Sequence, residues 1–271
     1  MNLLRRKLLA LAATSVWLLA GCGTTAPPAT LLVDSGVQKA LAPTGALRVG
    51  VYAGSPSSMV RDPKTGERVG VAHDLGKALA SRLGVPAQVV EFERLAQVID
   101  AVKSGDVDFT FTNATEVRAR DMNFTPPLIQ LELGYLVPKG SPIVKVTDVD
   151  RAGIRVGVSQ GSSSQAALGR VFKSATLAPA ASLKQAQDML RKGEVNAFAT
   201  NKAILFEMLD ELPGFQIIEG RWGEENMAIA IPKGREAGMV LVRQFAIDVQ
   251  ASGQLQALIA KAGLRGTLKA N

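Results

Sequence analysis

Gly105-Asp106-Val107-Asp108-Phe109-Thr110-Phe111-Thr112-Asn113 and Gly193-Glu194-Val195-Asn196-Ala197-Phe198-Ala199-Thr200-Asn201 decide the fold of this chain. In each stretch a glycine stops a helical pattern, an acidic residue and a valine open an apolar run, and Thr-Asn closes it. A second pair lies upstream in the same order: Ala46-Leu47-Arg48-Val49-Gly50-Val51 and Gly153-Ile154-Arg155-Val156-Gly157-Val158. One such pair is a common helix-to-strand turn, whereas two in the same order read as an internal repeat. The repeat places Thr-Asn at the carboxyl end of a strand twice, which is where open α/β sheets hold ligands.

Around these anchors, strand-like runs alternate with helical patterns. Leu47–Tyr52, Ala87–Phe92 and Val107–Thr112 read as strands, with helices over His73–Leu83 and Leu95–Lys103. The second half repeats the order: strand Ile154–Val158, helices near Ser164–Lys173 and Leu183–Arg191, strand Val195–Thr200. Strands separated by helices imply βαβ units and a largely parallel sheet. Met227–Ile231 reads as a return strand, and Arg235–Ser252 and Gly253–Lys261 as amphipathic helices. If these pack on the first half, the chain crosses between two lobes near Ile129–Leu133 and near Glu225–Met227. Two crossing strands make a hinge, and the cleft between the lobes becomes the binding site.

Composition narrows the chemistry. The 271 residues include 31 Lys and Arg against 24 Asp and Glu, one Cys and one His, with 47% hydrophobic residues. That apolar share suits a packed core. A single cysteine closes no intramolecular disulfide, and one Cys with one His is too few for a zinc cage, so neither metal nor cofactor is expected. A Ser-His-Asp site would need His73, which reads as a helix-end residue beside Asp74.

The first residues read as an address. Arg5, Arg6 and Lys7 precede an apolar run from Leu8 to Ala20, shorter than the ~20 residues of a spanning helix and of signal-peptide size. Leu19-Ala20-Gly21-Cys22 resembles the bacterial lipobox, which implies that Cys22 is acylated, palmitate included, and becomes the mature N-terminus. Removing Met1–Gly21 takes three basic residues and no acidic ones, so the formal charge of +7 becomes +4, with 28 basic against 24 acidic residues. No nucleic-acid partner is expected from so mild a charge. Gly23–Pro43, opening on Thr24-Thr25-Ala26-Pro27-Pro28-Ala29-Thr30, reads as a tether between lipid and globule.

Thr115-Glu116-Val117-Arg118 followed by Asn123-Phe124-Thr125-Pro126-Pro127 resembles the T-x-E-R…D-F-T-x-P signature of family 3 extracellular solute-binding proteins, the polar amino-acid receptors of bacterial ABC importers. Gly70 with Asp74-Leu75 resembles the family's G-F-D-V-D-L segment. Val156 to Ser163 is similar to its G-V-x-x-G-T-T turn, and Ala228 to Gly234 to its G-I-A-F-P-K-G return strand. The ordered set covers nearly all of Ala46–Leu264. It implies an α/β, two-lobed periplasmic-binding-protein fold of type II, with residues 1–21 as signal peptide, 22–44 as tether, 45–130 plus 228–271 as lobe 1 and 131–227 as lobe 2.

The resemblance also assigns site residues. Arg118 takes the position that binds a ligand carboxylate as a bidentate fork, for which a planar, always-charged guanidinium is suited. Asn113 stands where the family has Ser or Thr, Phe111 where a backbone carbonyl contributes, and Ser162 and Ser163 open a helix whose N–H groups attract a carboxylate or merely accept a cap. Three positions depart from the family. Asn201 stands at the Asp for the α-ammonium, Leu95 at the stacking aromatic, and Tyr52 at the acidic residue of the first loop. Lys202 would further disfavour a cation if it pointed inward. A carboxylate ligand lacking an ammonium is one option; an amino acid whose ammonium meets Glu224 or Glu225 is the other.

The implied function is a lipid-anchored receptor, not an enzyme, on the periplasmic side of the cell membrane. It binds a small carboxylate-bearing solute by hinge closure, acts as a monomer and serves an ABC-importer permease. Alternatives are a cyclohexadienyl dehydratase-like enzyme using Glu91, Glu93 or Glu224, or a receptor for a membrane sensor. Trp222 either walls the cleft or anchors the hinge.

Overall fold

The computed structural model describes residues 33–268, so the leader, Cys22 and the start of the tether lie outside the described residues. Inside the expected tether, Ser35–Leu41 (α1) is helical, which moves the edge of the folded unit ahead of residue 44. Asp34 caps this helix by accepting from the backbone N–H groups of Gly36 and Val37. Leu41 is fully buried, a contribution of roughly 1.5–3 kcal/mol that sustains a helix too short to persist alone.

There follow β1 (Leu47–Tyr52), the short hairpin of β2 (Val60–Arg61) and β3 (Arg68–Val69), α2 (Val71–Leu83), β4 (Ala87–Phe92) and α3 (Leu95–Ser104). β1 and β4 pair in parallel. Then come β5 (Thr110–Asn113), β6 (Met122–Phe124) and the long β7 (Ile129–Pro138). The repeat continues with β8 (Arg155–Ser159), α4 (Ser163–Val171), β9 (Thr176–Ala180), α5 (Leu183–Arg191), β10 (Ala197–Asn201), α6 (Lys202–Glu211) and β11 (Phe215–Ile217). The long β12 (Gly223–Pro232) leads to α7 (Met239–Ala251) and α8 (Gln254–Lys261).

The largest sheet has the order β5-β12-β7-β10-β8-β9. β8 is parallel to both β9 and β10, but β7 and β12 run antiparallel to each other and to the strands flanking them. The sheet is therefore mixed, not largely parallel. The cause is the crossing itself: β7 carries the chain out and β12 carries it back, paired from Ile129–Met227 to Leu133–Gly223. One apolar core gathers Leu47, Val49, Leu75, Phe109, Val242 and Phe245 around β1, α2 and α7. Beyond the crossing, Leu136, Phe198, Leu205 and Met208 pack on one face of β10 and Tyr135, Val156, Val158 and Leu168 on the other. These are the two lobes. The chain also returns to the crossing at its end: Arg265 pairs with Glu207 and Asp210 of α6, and Leu268 N–H donates to Gln130 O of β7 at 2.9 Å.

The repeat holds at atomic level. The Arg48 N–H donates to Asp108 Oδ2 and the Arg155 N–H donates to Asn196 Oδ1, both at 2.8 Å. The return bonds, Asp108 N–H to Arg48 O at 2.7 Å and Asn196 N–H to Arg155 O at 2.8 Å, match as well. In both copies the preceding glycine, Gly105 or Gly193, turns with positive φ, 79° and 68°, which only glycine adopts without steric cost.

Candidate ligand-binding site

The two Thr-Asn pairs meet. Thr112 and Asn113 at the end of β5 and Thr200 and Asn201 at the end of β10 line one cavity, whose water-accessible core is about 20 Å³.

Arg118 enters this cavity from the single 3₁₀ turn Arg118–Arg120 and is 8% exposed, while Arg120 points to solvent. Its Nη1 donates to Thr112 Oγ1 at 2.8 Å and to Asn113 O at 3.2 Å, and Nη2 lies 3.5 Å from Gly161 O of the other lobe. Every one of these partners is uncharged. Burial lowers the Arg118 pKa from its ordinary value and the Glu225 carboxylate opposes that shift; a guanidinium stays protonated regardless.

Glu225, on β12 where the chain crosses, supplies the opposite charge at 7% exposure. Its Oε1 accepts from Ser163 Oγ at 2.5 Å and its Oε2 from Asn201 Nδ2 at 2.8 Å. Asn201 Oδ1 meanwhile caps α6 by accepting from the Ile204 N–H at 3.1 Å. The carboxylate expected near residue 201 thus stands on β12, across β7 from β10, with the Asn201 amide holding it. Of the two glutamates named from sequence, Glu224 turns outward to Arg221, 2.9 Å away.

Tyr52, Leu95, Phe111 and Ser162 also line the cavity. Ser162 doubles as the cap of α4, accepting from the Gln165 N–H at 3.0 Å. Ser163 reaches the site through Glu225 rather than as a wall. Asn113 Oδ1 accepts from the Asn226 N–H at 2.9 Å, which fixes β5 to β12. Burial pushes the Tyr52 phenol up to about 12. Ser57, Ser159, Ile204 and Met227 complete the wall; nothing in their local sequence distinguishes them from ordinary strand or loop residues.

The remaining candidates fall elsewhere. Lys202 turns away to Glu132, so it does not repel a cation in the cavity. Trp222 donates to Gly134 O at 3.0 Å and stacks at a tilt on Tyr135, anchoring β7 rather than walling the cavity. His73 is buried with Nδ1 2.8 Å from Asp74 Oδ1. Glu91 and Glu93 line a separate, wider groove. Among the described residues there is no cluster of three or more His, Cys, Asp or Glu fit to hold a metal, and no helix is long and apolar enough to cross a membrane.

Two lobes joined by paired crossing strands, with buried charges of both signs facing one cavity, define a solute-binding protein. The chain belongs to the bacterial extracellular solute-binding proteins, family 3, whose model matches residues 47–264. It is 26% identical over 182 residues to the ABC transporter glutamine-binding protein GlnH of Bacillus subtilis, a match spanning 66% of each chain. The solute receptor for L-cysteine of Neisseria gonorrhoeae superposes with a TM-score of 0.74 at 26% identity, covering 83% of this chain and 92% of that one. The same fold recurs in the ancestral amino acid-binding protein AncCDT-1, a precursor of cyclohexadienyl dehydratase (TM-score 0.71, 23% identity, 83% and 98% coverage).

Proposed function

We propose that this chain is the lipid-anchored receptor of an ABC importer, working outside the cytoplasm as a monomer, and that it binds a free amino acid as its zwitterion. Arg118 takes the carboxylate and Glu225 the ammonium. One observation carries this reading: two buried charges of opposite sign act on each other across one cavity, while all the hydrogen bonds each makes go to neutral groups. A ligand bearing both complementary charges satisfies both at once, and a carboxylate without an ammonium leaves Glu225 desolvated and unpaired. The closing lobes are residues 45–130 with 228–268, joined by α1 through Leu41, and residues 131–227. Arg118 reaches Gly161 across the cleft, so contacts from both lobes favour closure.

The dehydratase alternative asks for a proton donor in the cleft. Glu225 is poorly suited, because Asn201 Nδ2 donates to it and Ser163 is its other partner, an arrangement that suits an acceptor. Relatives that are transport binding proteins point the same way. Cys22, within Leu19-Ala20-Gly21-Cys22, is the proposed lipid attachment point; Cys22→Ser should release the protein from membranes.

Calorimetry with one amino acid, its N-acetyl derivative and its amide tests the assignment. The parent is expected to bind, and each blocked form to lose most of the affinity. An N-acetyl derivative that binds as well as the parent removes Glu225 from the ammonium role.

A further inference from the structure

Resting on the zwitterion reading, we propose that the cavity selects a short, uncharged side chain: amino acids of the size of alanine, serine or cysteine are taken, and arginine, lysine, glutamate and glutamine are refused. The first ground is room. The water-accessible core of about 20 Å³ compares with the ~10–15 Å³ that a single water needs, so the walls must part to admit any amino acid and must part further for each added side-chain atom.

The second ground is that the two lobes already touch outside the cavity, at Gly161 and again at the separate groove. A Cβ placed on Gly161 would stand 2.9 Å from Ala96 Cβ, and one on Gly54, in that groove, would stand 3.1 Å from Leu183 Cδ1. The lobes therefore meet with no side chain between them at Gly161. Leu95, next to that contact, and Ile204 close the cavity with apolar bulk.

The third ground is charge. Of the residues lining the cavity, Arg118 and Glu225 are the ones charged at neutral pH, and the ligand's own carboxylate and ammonium use both. Tyr52, with its phenol pushed up to about 12, remains neutral. A third charge, on the ligand's side chain, would be buried without a partner and is strongly refused.

Calorimetry of the full chain with glycine, alanine, serine, cysteine, glutamine, arginine, lysine and glutamate, and with propionate as a carboxylate lacking an ammonium, tests this. The best of alanine, serine and cysteine is expected to bind roughly a hundredfold or more tighter than arginine, lysine or glutamate, and about tenfold or more tighter than glutamine. Leu95→Ala, which widens the wall, is expected to narrow the gap between alanine and glutamine. Glutamine or a charged amino acid binding as tightly as alanine overturns the size-and-charge selection and leaves the zwitterion reading standing. Propionate binding as tightly as alanine overturns the zwitterion reading itself, and binding by none of these overturns both.

Discussion

Asn201 Nδ2 donates to Glu225 Oε2 over 2.8 Å while Asn201 Oδ1 holds the first turn of α6. An Asp at 201 would cap the helix equally well but would set a second carboxylate against Glu225, and adjacent like charges disfavour ionisation. The uncharged residue at 201 and the glutamate at 225 are thus two halves of one arrangement, with the negative charge carried by the crossing strand.

Removing either charge should abolish binding without unfolding the protein. Arg118→Ala and Glu225→Gln are each expected to lower amino-acid affinity by about 2–5 kcal/mol, the usual effect of truncating one member of a buried, hydrogen-bonded charge set. Calorimetry read beside the ligand-free melting temperature separates the two effects. Wild-type affinity in either variant places the ligand elsewhere.

Closure should be blocked by bulk at the lobe contact. Ala96 Cβ already lies against Gly161, so Ala96→Leu is expected to hold the lobes apart and weaken binding at least about tenfold. Small-angle scattering should then show no compaction on adding ligand. A variant that compacts as the wild type does removes this contact from the closing surface.

The chain has two tyrosines, and burial raises both phenols, Tyr52 to about 12 and Tyr135 further still. A raised phenol means that the fold favours the neutral form. The associated stability is complete below the unfolded value of ~10 and is lost as pH rises through the folded values. Phenolate absorbance of the native protein should therefore stay flat through pH ~10 and appear later, or together with unfolding. Half-titration at pH ~10 in folded protein would falsify the burial of these rings.

Acid should weaken the crossing. Lys202 hydrogen-bonds to Glu132 on β7 and, with Arg221, outweighs burial to hold its carboxyl below the usual range. The unfolded chain then takes up this proton first. Its stabilisation is present above the unfolded value of ~4.3 and disappears as pH falls through the lower folded value. Below pH ~4.3, the melting temperature of wild type should fall more steeply than that of Glu132→Gln. Parallel curves would mean the pair contributes nothing.

Gly76 inverts an ordinary rule. Alanine improves a helix interior over glycine by roughly 0.8–1.0 kcal/mol, yet a Cβ at 76 on α2 would sit 2.5 Å from Val49 Cγ1 of β1. Overpacking of that kind costs about 1–3 kcal/mol, so Gly76→Ala is expected to destabilise in urea titration. Adding Val49→Ala should remove the clash, so that the double variant loses less than the two single changes summed. Simple additivity would show that α2 shifts without strain.

Many of the strands and helices, the internal repeat and the two crossings were legible in the residues, because each is written locally: a glycine that turns with positive φ, an apolar alternation, a Thr-Asn at a strand end; β9 and α6 were not read, nor were the short strands β2, β3, β6 and β11. Arg118 was legible through its motif. The sense of the sheet was not, since whether β7 and β12 run with or against their neighbours depends on where the chain returns. Nor was α1, a single helical turn or two inside a proline-rich stretch, held by the burial of Leu41 against distant helices. Among the site residues, the sequence by itself determined which polar groups stand at the strand ends. Only the tertiary structure decided that Glu225 and not Glu224 faces the cavity, that Lys202 turns to Glu132, and that Asn201 serves a carboxylate in place of being one. Those outcomes depend on the direction of a side chain and on partners dozens of residues away, which local pattern does not encode.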